Sequence, residues 1–209
     1  MAPLTSTLFS LLSLTAMATA SPLMTSRTTS HSSRAPNNEN TKIWQPEMYN
    51  IYPQAPDVSK APVTGLHIET FEDKSQLEQV AVFRGIPADA TNCSLGWSQD
   101  TKENRVFILK GSSGLTRIRQ LSGLPSEGDG VSFSSVKPFD DAPEDEGLGP
   151  DFTLWDDEQY DDWDHLAGGL DCAEEIYLKI KLRTPEEKAS LYMAQNEKNG
   201  FWIEYKTSS

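Results

Sequence analysis

The chain is short of the residue types on which several classes of protein depend. Its 209 residues include 18 Lys and Arg against 31 Asp and Glu, which gives a formal net charge of −13. Proteins that bind the nucleic-acid backbone need a clustered basic face, so this balance argues against nucleic acid as a partner. With two cysteines and three histidines, the sequence has no Cys/His cluster at zinc spacing. It also has no glycine-rich phosphate loop, HExxH helix or EF-hand loop.

Long hydrophobic runs are scarce as well. Residues 8–18 are apolar and uncharged, but this stretch is too short to cross a bilayer, and no second stretch approaches the roughly 20 residues that a span requires. Small residues follow at Ala18 and Ala20, the positions that a signal peptidase reads. We therefore predict a signal peptide over residues 1–20, a secreted mature chain and no membrane span. A buried N-terminal helix is the alternative.

A change in composition separates residues 21–42 from the rest of the chain. Nine of these 22 positions are Ser or Thr, and Leu23 and Met24 are the only strongly apolar side chains. Such a segment cannot bury enough apolar surface to offset the entropy lost on ordering. We expect a disordered Ser/Thr-rich leader over residues 21–42, followed by one domain over residues 43–209.

Hydrophobic and polar residues alternate along much of this domain. In residues 176–183, IYLKIKLR, four aliphatic side chains point one way, while a tyrosine and three cations point the other. Further strands are expected at 66–71, 80–83, 106–109, 191–194 and 201–205, with weaker candidates at 115–121, 131–133 and 152–154. Only residues 184–187 have helix-start signals. Short strands separated by Gly and Pro predict a mainly β fold, an antiparallel β-sandwich-like single domain.

The two cysteines, Cys93 and Cys172, are an even pair in a chain predicted to be secreted. The simplest expectation is one disulfide, closing a loop of roughly 80 residues and stabilising the fold by about 4–5 kcal/mol. A nucleophilic thiol is the alternative. Asn92 lies in the only N-x-S/T sequon and is the candidate glycosylation site. Strand alternation places its side chain on the face opposite Cys93, so a glycan would point to solvent.

Three short stretches carry a family resemblance: VAVFRGIP at 80–87, NCSLGW at 92–97 and GFWIEY at 200–205. Together with Cys172, they resemble the fungal "ubiquitin three binding protein" But-two C-terminal domain family. The resemblance implies a secreted fungal protein with a signal peptide and one β-sandwich-like domain. It transfers no catalytic residue, because the family carries none that is established.

Candidates for catalysis are few. A Ser-His-Asp triad would have to use His67 or His165, and neither lies near a nucleophile-elbow motif. Each is interpreted as a surface or packing histidine. Two carboxylates suffice for a glycosidase, but 31 acids single out no pair.

Residues 140–164 hold 12 acids and no cation, interleaved with Phe152 and other aromatic residues. The simplest interpretation is a solvated acidic loop, an insertion anchored to the domain by its aromatic side chains. Alternatively, the aromatics stack on sugar rings while carboxylates bond hydroxyls or hold Ca²⁺, although no defined calcium loop is present. A third alternative is a basic protein partner. The ligand-binding candidates are Trp155, Tyr160, Trp163, Asp156, Asp157, Asp161 and Asp162.

These observations predict a non-enzymatic extracellular protein of a fungus, a module that binds a glycan or a protein surface at the cell wall or on a host. A polysaccharide hydrolase that uses a carboxylate pair is the first alternative, and an inert structural wall component is the second. No cofactor is expected.

Overall fold

The computed structural model describes residues 40–111, 113–156, 162–183 and 188–207. The predicted signal peptide, most of the leader and the helix-start signals at 184–187 lie outside these ranges. Within them the chain forms eleven β-strands, one short α-helix and one 3-10 helix. The strands are β1 (Asn40–Trp44), β2 (Glu47–Ile51), β3 (Leu66–Phe71), β4 (Lys74–Arg84), β5 (Ala90–Gln99), β6 (Phe107–Gly111), β7 (Thr116–Leu121), β8 (Trp163–Gly169), β9 (Glu175–Leu182), β10 (Ala189–Met193) and β11 (Gly200–Thr207); α1 is Phe133–Val136 and the 3-10 helix is Lys137–Phe139.

The strands form two antiparallel sheets. The smaller sheet has the order β1-β11-β5-β8, and the larger has the order β6-β10-β3-β4-β9-β7. β2 adds to the larger sheet by pairing with β4. β4 is eleven residues long, and one of its edges pairs first with β3 and then with β2, while its other edge pairs with β9. β4 is therefore central to the larger sheet.

The main core fills the space between the two sheets. Alternate residues of each strand face it, as the pattern of buried Leu66 and Ile68 in β3 and of buried Ile176, Leu178 and Ile180 in β9 illustrates. Each fully buried aliphatic side chain contributes about 1.5–3 kcal/mol relative to an exposed one. This arrangement confirms the predicted antiparallel β-sandwich.

A second, smaller core lies on the outer face of the larger sheet. Val80 and Val82 of β4 pack there against Leu121 of β7 and Val136 of α1. Residues 122–139, which include both short helices, form a cover segment over this face. The apolar run at 80–83 is thus buried on both faces of the sheet.

The predicted bridge joins Cys93 of β5 to Cys172 in the β8–β9 connection, with Cα atoms 5.3 Å apart. Cys93 is buried, whereas Cys172 is exposed. The disulfide therefore fastens the β8–β9 connection, which leads into the larger sheet, to β5 of the smaller sheet.

Three expectations differ from the structure. Residues 131–133 form no strand, because Ser132 caps α1: the Ser132 hydroxyl accepts from the Ser135 backbone NH, and the Ser135 hydroxyl accepts from the Ser132 NH. Residues 152–154 form a turn. The last three residues of the predicted leader, 40–42, belong to β1, where pairing with β11 satisfies their backbone.

Candidate functional site

A polar concave surface lies where β2, β4 and β9 run side by side. Glu47 pairs in register with Val82, and Arg84 pairs with Glu175, so alternation brings Glu47, Arg84 and Glu175 to the outer face of the larger sheet. Tyr49 and Tyr177 stand on the same face, next to the second core. We call this surface the arginine cleft.

Arg84 holds the two acids of the arginine cleft together. Its Nη1 lies 2.5 Å from Glu47 Oε2, and its Nε lies 3.2 Å from Glu175 Oε1. The hydrogen bond from Arg84 lowers the pKa of Glu47 below its ordinary value. Because the guanidinium is always charged, this arrangement favours the ionised form of Glu47.

The two tyrosines are held as neutral phenols. Burial raises the pKa of Tyr177 to about 12, and the hydrogen bond that its hydroxyl donates to Glu175 adds to the shift. Burial likewise raises the pKa of Tyr49, with a further contribution from the Glu47 carboxylate. Each ring therefore offers an apolar face beside a polar, hydrogen-bonding tip.

The walls of the arginine cleft come from two connections. Residues 124–131 of the cover segment form one wall, and Ser59 and Lys60 form the other. The enclosed volume is about 670 Å³, within the usual range for small-molecule sites. Glycine is required in the cover-segment wall at Gly130, where φ is +72° and an added Cβ would lie 2.6 Å from the Ser59 hydroxyl.

The disulfide-bonded connection leads directly into the cleft. Cys172 is followed two residues later by Glu174, whose carbonyl accepts from the Ile86 backbone NH at 3.3 Å. The side-chain amide of Gln120 donates to the carbonyl of Asp171, and its carbonyl accepts from the Asp171 NH. These contacts fix the start of β9, where Glu175 and Tyr177 lie.

Two aromatic residues of the acidic segment, Phe152 and Trp155, anchor it to the sandwich. Phe152 is fully buried in the main core, with its ring centroid 4.6 Å from that of Trp97. Trp155 packs against the same core and stacks on Phe107. Trp155, a ligand-binding candidate, thus has one ring face covered by the protein itself.

Described acids of the segment pair with cations of the chain's own strands, and Asp140 and Glu144 are two of them. Asp140 accepts from Arg119 of β7 and lies 3.0 Å from Lys179 of β9, and its side chain is only 6% exposed. Glu144 lies 2.5 Å from Lys181, at a side chain that is 82% exposed. The expectation that residues 140–164 form an exposed, solvated loop is therefore wrong for Asp140, whose charge is balanced inside the protein.

The later part of the segment is not a loop either. Trp163 and Asp164 belong to β8, which pairs with β5. Trp163 is 50% exposed, while Asp164 accepts hydrogen bonds from Lys42 and Ser98. The acidic insertion therefore ends at residue 162, because the chain has entered the smaller sheet by residue 163.

The remaining ligand-binding candidates are only partly described. Asp156 and Asp162 are exposed, whereas Tyr160, Asp157 and Asp161 lie outside the described residues. No group of three or more His, Cys, Asp or Glu side chains able to hold a metal ion occurs in the described ranges. The structure therefore brings no calcium ligands together there. Asn92, the glycosylation candidate, is exposed at a backbone φ of +56°.

His67 lies in a polar cluster that lacks the geometry of a catalytic triad. Its Nε2 is 2.7 Å from Glu69 Oε1 and 3.5 Å from the Ser190 hydroxyl oxygen. A triad needs the acid on one ring nitrogen and the nucleophile on the other, whereas here both face Nε2. His165 stacks on Trp97 with centroids 3.9 Å apart, and burial lowers its pKa. His165 thus packs against an aromatic ring of the main core, and His67 lies at the surface of β3.

No protein-family model, curated protein or solved structure gives a significant match to the chain. Among the described residues, none lies in a helix long and apolar enough to cross a membrane.

No local sequence pattern singles out the residues of the arginine cleft. Glu47, Arg84 and Glu175 come from three separate strands, and each appears in the sequence as an ordinary strand-end charge. One local signal was available: alternation in β9 puts Tyr177 and Glu175 on the face opposite the main core.

Proposed function

We propose that this chain is a secreted, non-enzymatic extracellular protein that binds a glycan in the arginine cleft. The observation that carries the proposal is the pairing of two tyrosine rings with the Arg84–Glu47 and Arg84–Glu175 ion pairs in one cavity. Sugar rings have apolar faces that stack on aromatic side chains and hydroxyls that exchange hydrogen bonds with charged groups. The concave shape favours a sugar over a flat protein surface.

Secretion is part of this proposal. A disulfide between Cys93 and Cys172 suits an oxidising compartment, and the apolar stretch at 8–18 with small residues at Ala18 and Ala20 suits a signal peptide. The fungal origin and the But-two C-terminal domain resemblance, with a role at the cell wall or a host surface, belong to the same proposal.

The charge state of the cleft argues for a binder rather than a hydrolase. A glycosidase needs one carboxylic acid with a raised pKa to protonate the leaving group. In the cleft, Glu47 has a lowered pKa, and both Glu47 and Glu175 contact the same guanidinium. A carboxylate held in its ionised form beside arginine is suited to accepting hydrogen bonds from hydroxyls.

The test is a glycan array read with the wild-type protein and with Tyr177→Ala and Arg84→Ala. We expect wild-type binding to a defined set of glycans and at least tenfold weaker binding by either variant. Tyr192→Ala is the matched control, because Tyr192 is a half-buried tyrosine of β10 outside the cleft. Its glycan binding should equal that of the wild type.

A parallel incubation with the bound polysaccharides measures the release of reducing ends. Turnover by the wild-type protein that Glu47→Gln abolishes would contradict the non-enzymatic assignment. Glycan binding unaffected by Tyr177→Ala and Arg84→Ala would move the binding site away from the cleft.

A further inference from the structure

We propose that a second cavity, between β3, β6 and β10, binds a small amphiphile with one apolar chain and a carboxylate head, such as a medium-chain fatty acid. The cavity has a volume of about 440 Å³. It lies on the β6 side of the larger sheet and shares no lining residue with the arginine cleft. The proposal is therefore independent of the proposed function.

The apolar part of this cavity is built around Phe71 at the end of β3. Phe71 is 43% exposed, so part of its ring surface is open to water. Thr70, Ala189 and the stem of Gln76 line the cavity beside it. An alkyl chain lying on this surface would remove apolar area from water, at a gain of about 25 cal/mol per Å².

A close approach of two strands forms the back of the cavity. Gly111, at the end of β6, lies so near the start of β10 that an added Cβ would be 2.1 Å from the carbonyl oxygen of Lys188 and 2.8 Å from the Cα of Ala189. Its φ of +103° also favours glycine. The cavity wall is consequently backbone, with little side-chain volume to fill the space.

Two lysines supply positive charge at the cavity. Lys188 Nζ lies 5.2 Å from the centroid of the Phe71 ring, and Lys110 stands in register with Ser190 on the adjacent strand. Neither lysine makes an ion pair with any of the residues that the structure describes. Within the part of the chain that the structure describes, no carboxylate competes with an incoming anion for either ammonium group.

Glu69, the acid among the described residues that line the cavity, is already engaged. Glu69 Oε1 lies 2.7 Å from His67 Nε2 and accepts a hydrogen bond from Ser190 at 3.3 Å. The described lining residues carry two cations against one acid and are locally positive, on a chain whose formal net charge is −13. A local positive potential next to an apolar surface selects a ligand with an anionic head and an apolar tail.

The experiment is isothermal titration of the full chain with decanoate, decanol and decylamine, all below their aggregation concentrations. We expect saturable one-to-one binding of decanoate, at least tenfold weaker binding of decanol and no binding of decylamine. Equal affinities for decanoate and decanol, or no saturable binding of decanoate, would overturn the proposal.

Substitutions show which residues bind the carboxylate head of the ligand and which bind its apolar chain. Lys110→Gln with Lys188→Gln should weaken decanoate binding about tenfold, equivalent to about 1.4 kcal/mol, and leave decanol binding unchanged. Phe71→Ser should weaken both. The matched control, Lys137→Gln with Lys206→Gln, removes two charges from residues that do not line the cavity and should bind decanoate like the wild type. An equal loss in the control and the cavity double variant would mean that only net charge is sensed, and would overturn the site.

Because Phe71 is half-exposed, its replacement should leave the fold intact, which the melting temperature checks. If Phe71→Ser fails to fold, the two lysine variants decide the proposal on their own, since they change only surface charges.

Discussion

Trp155 and Phe107 lie stacked, with ring centroids 4.6 Å apart and ring planes 17° from parallel. The guanidinium of Arg105 lies over the Trp155 ring, 5.2 Å from its centroid. The stack of Trp155 on Phe107 fastens the middle of the acidic segment to the first residue of β6. It explains how a stretch of like charges stays on the body of the protein, since aromatic stacking and a cation–π contact both oppose the mutual repulsion.

Trp155→Ala should lower the free energy of unfolding by about 2 kcal/mol, because it removes the stacked ring and its buried area. Leu154→Ala is the matched control, since Leu154 is the neighbouring residue and is largely exposed. It should change stability by less than about 0.5 kcal/mol. Chemical denaturation measures both. Equal stability of the two variants would show that the stack does not anchor the segment.

Asp140→Asn should destabilise the protein by about 3 kcal/mol. The substitution leaves two buried cations, Arg119 and Lys179, with only Glu78 at 3.4 Å from Lys179 Nζ, and an uncompensated buried charge is costly. Glu144→Gln breaks an exposed pair and should cost less than about 1 kcal/mol. A melting curve for each variant checks the contrast. A small loss for Asp140→Asn would mean that water reaches this cluster.

The Glu47–Arg84 pair should make stability depend on pH in the acid range. The folded-state pKa of Glu47 lies below its ordinary value of 4.5, chiefly through the hydrogen bond from Arg84. The pair's contribution is therefore complete above the unfolded-state pKa and is lost as pH falls through the folded-state pKa. Wild type should exceed Glu47→Gln in stability near neutral pH, and the gap should close below about pH 4.5.

The measurement for this pair is the free energy of unfolding of both proteins across the acid range. Because the pKa values of Glu144 and Asp164 are lowered too, both proteins should lose stability in acid. Only the difference between them reports on Glu47. A difference that stays constant with pH would show that the pair does not stabilise the ionised carboxylate.

Removing the disulfide by Cys93→Ala with Cys172→Ala should cost about 4 kcal/mol, because the bridge closes a loop with a sequence separation of 79. The melting temperature should fall, and the mass of the unreduced wild-type protein should be two hydrogens below that of the reduced form. Free thiols in freshly prepared protein would contradict the bridge.

The local alternation of apolar and polar residues was sufficient to predict the strands that have one apolar and one polar face. The alternation in IYLKIKLR predicted β9, and the aliphatic residues do face the main core. The same pattern put Lys179 on the opposite face, where it is buried against Phe133 and Asp140. Alternation states which residues share a face, but it does not state whether a cover segment lies over that face.

The arginine cleft and the strand order could not be predicted from such patterns. Glu47 and Arg84 are 37 residues apart, and their meeting depends on β2 pairing with the second half of β4. Similarly, the number of acids in residues 140–164 gave no sign that Asp140 has its cations in β7 and β9. These outcomes depend on long-range register, which a local window does not contain.

The pairing of β1 with β11 determines the order in which the strands of the smaller sheet can pair during synthesis. β11 lies between β1 and β5, and it leaves the ribosome after the ten other strands that the structure describes. Until it does, β1 has no neighbour, while β5 and β8 can already pair. Cys93 and Cys172 both precede β11 in the chain, so the disulfide can join β5 to the β8–β9 connection before the final strand arrives. The eight residues of β11 then complete a sheet in which β5 and β8 are already joined. A nascent chain that stops short of β11 leaves the edge of β5 that β11 would pair with open to water.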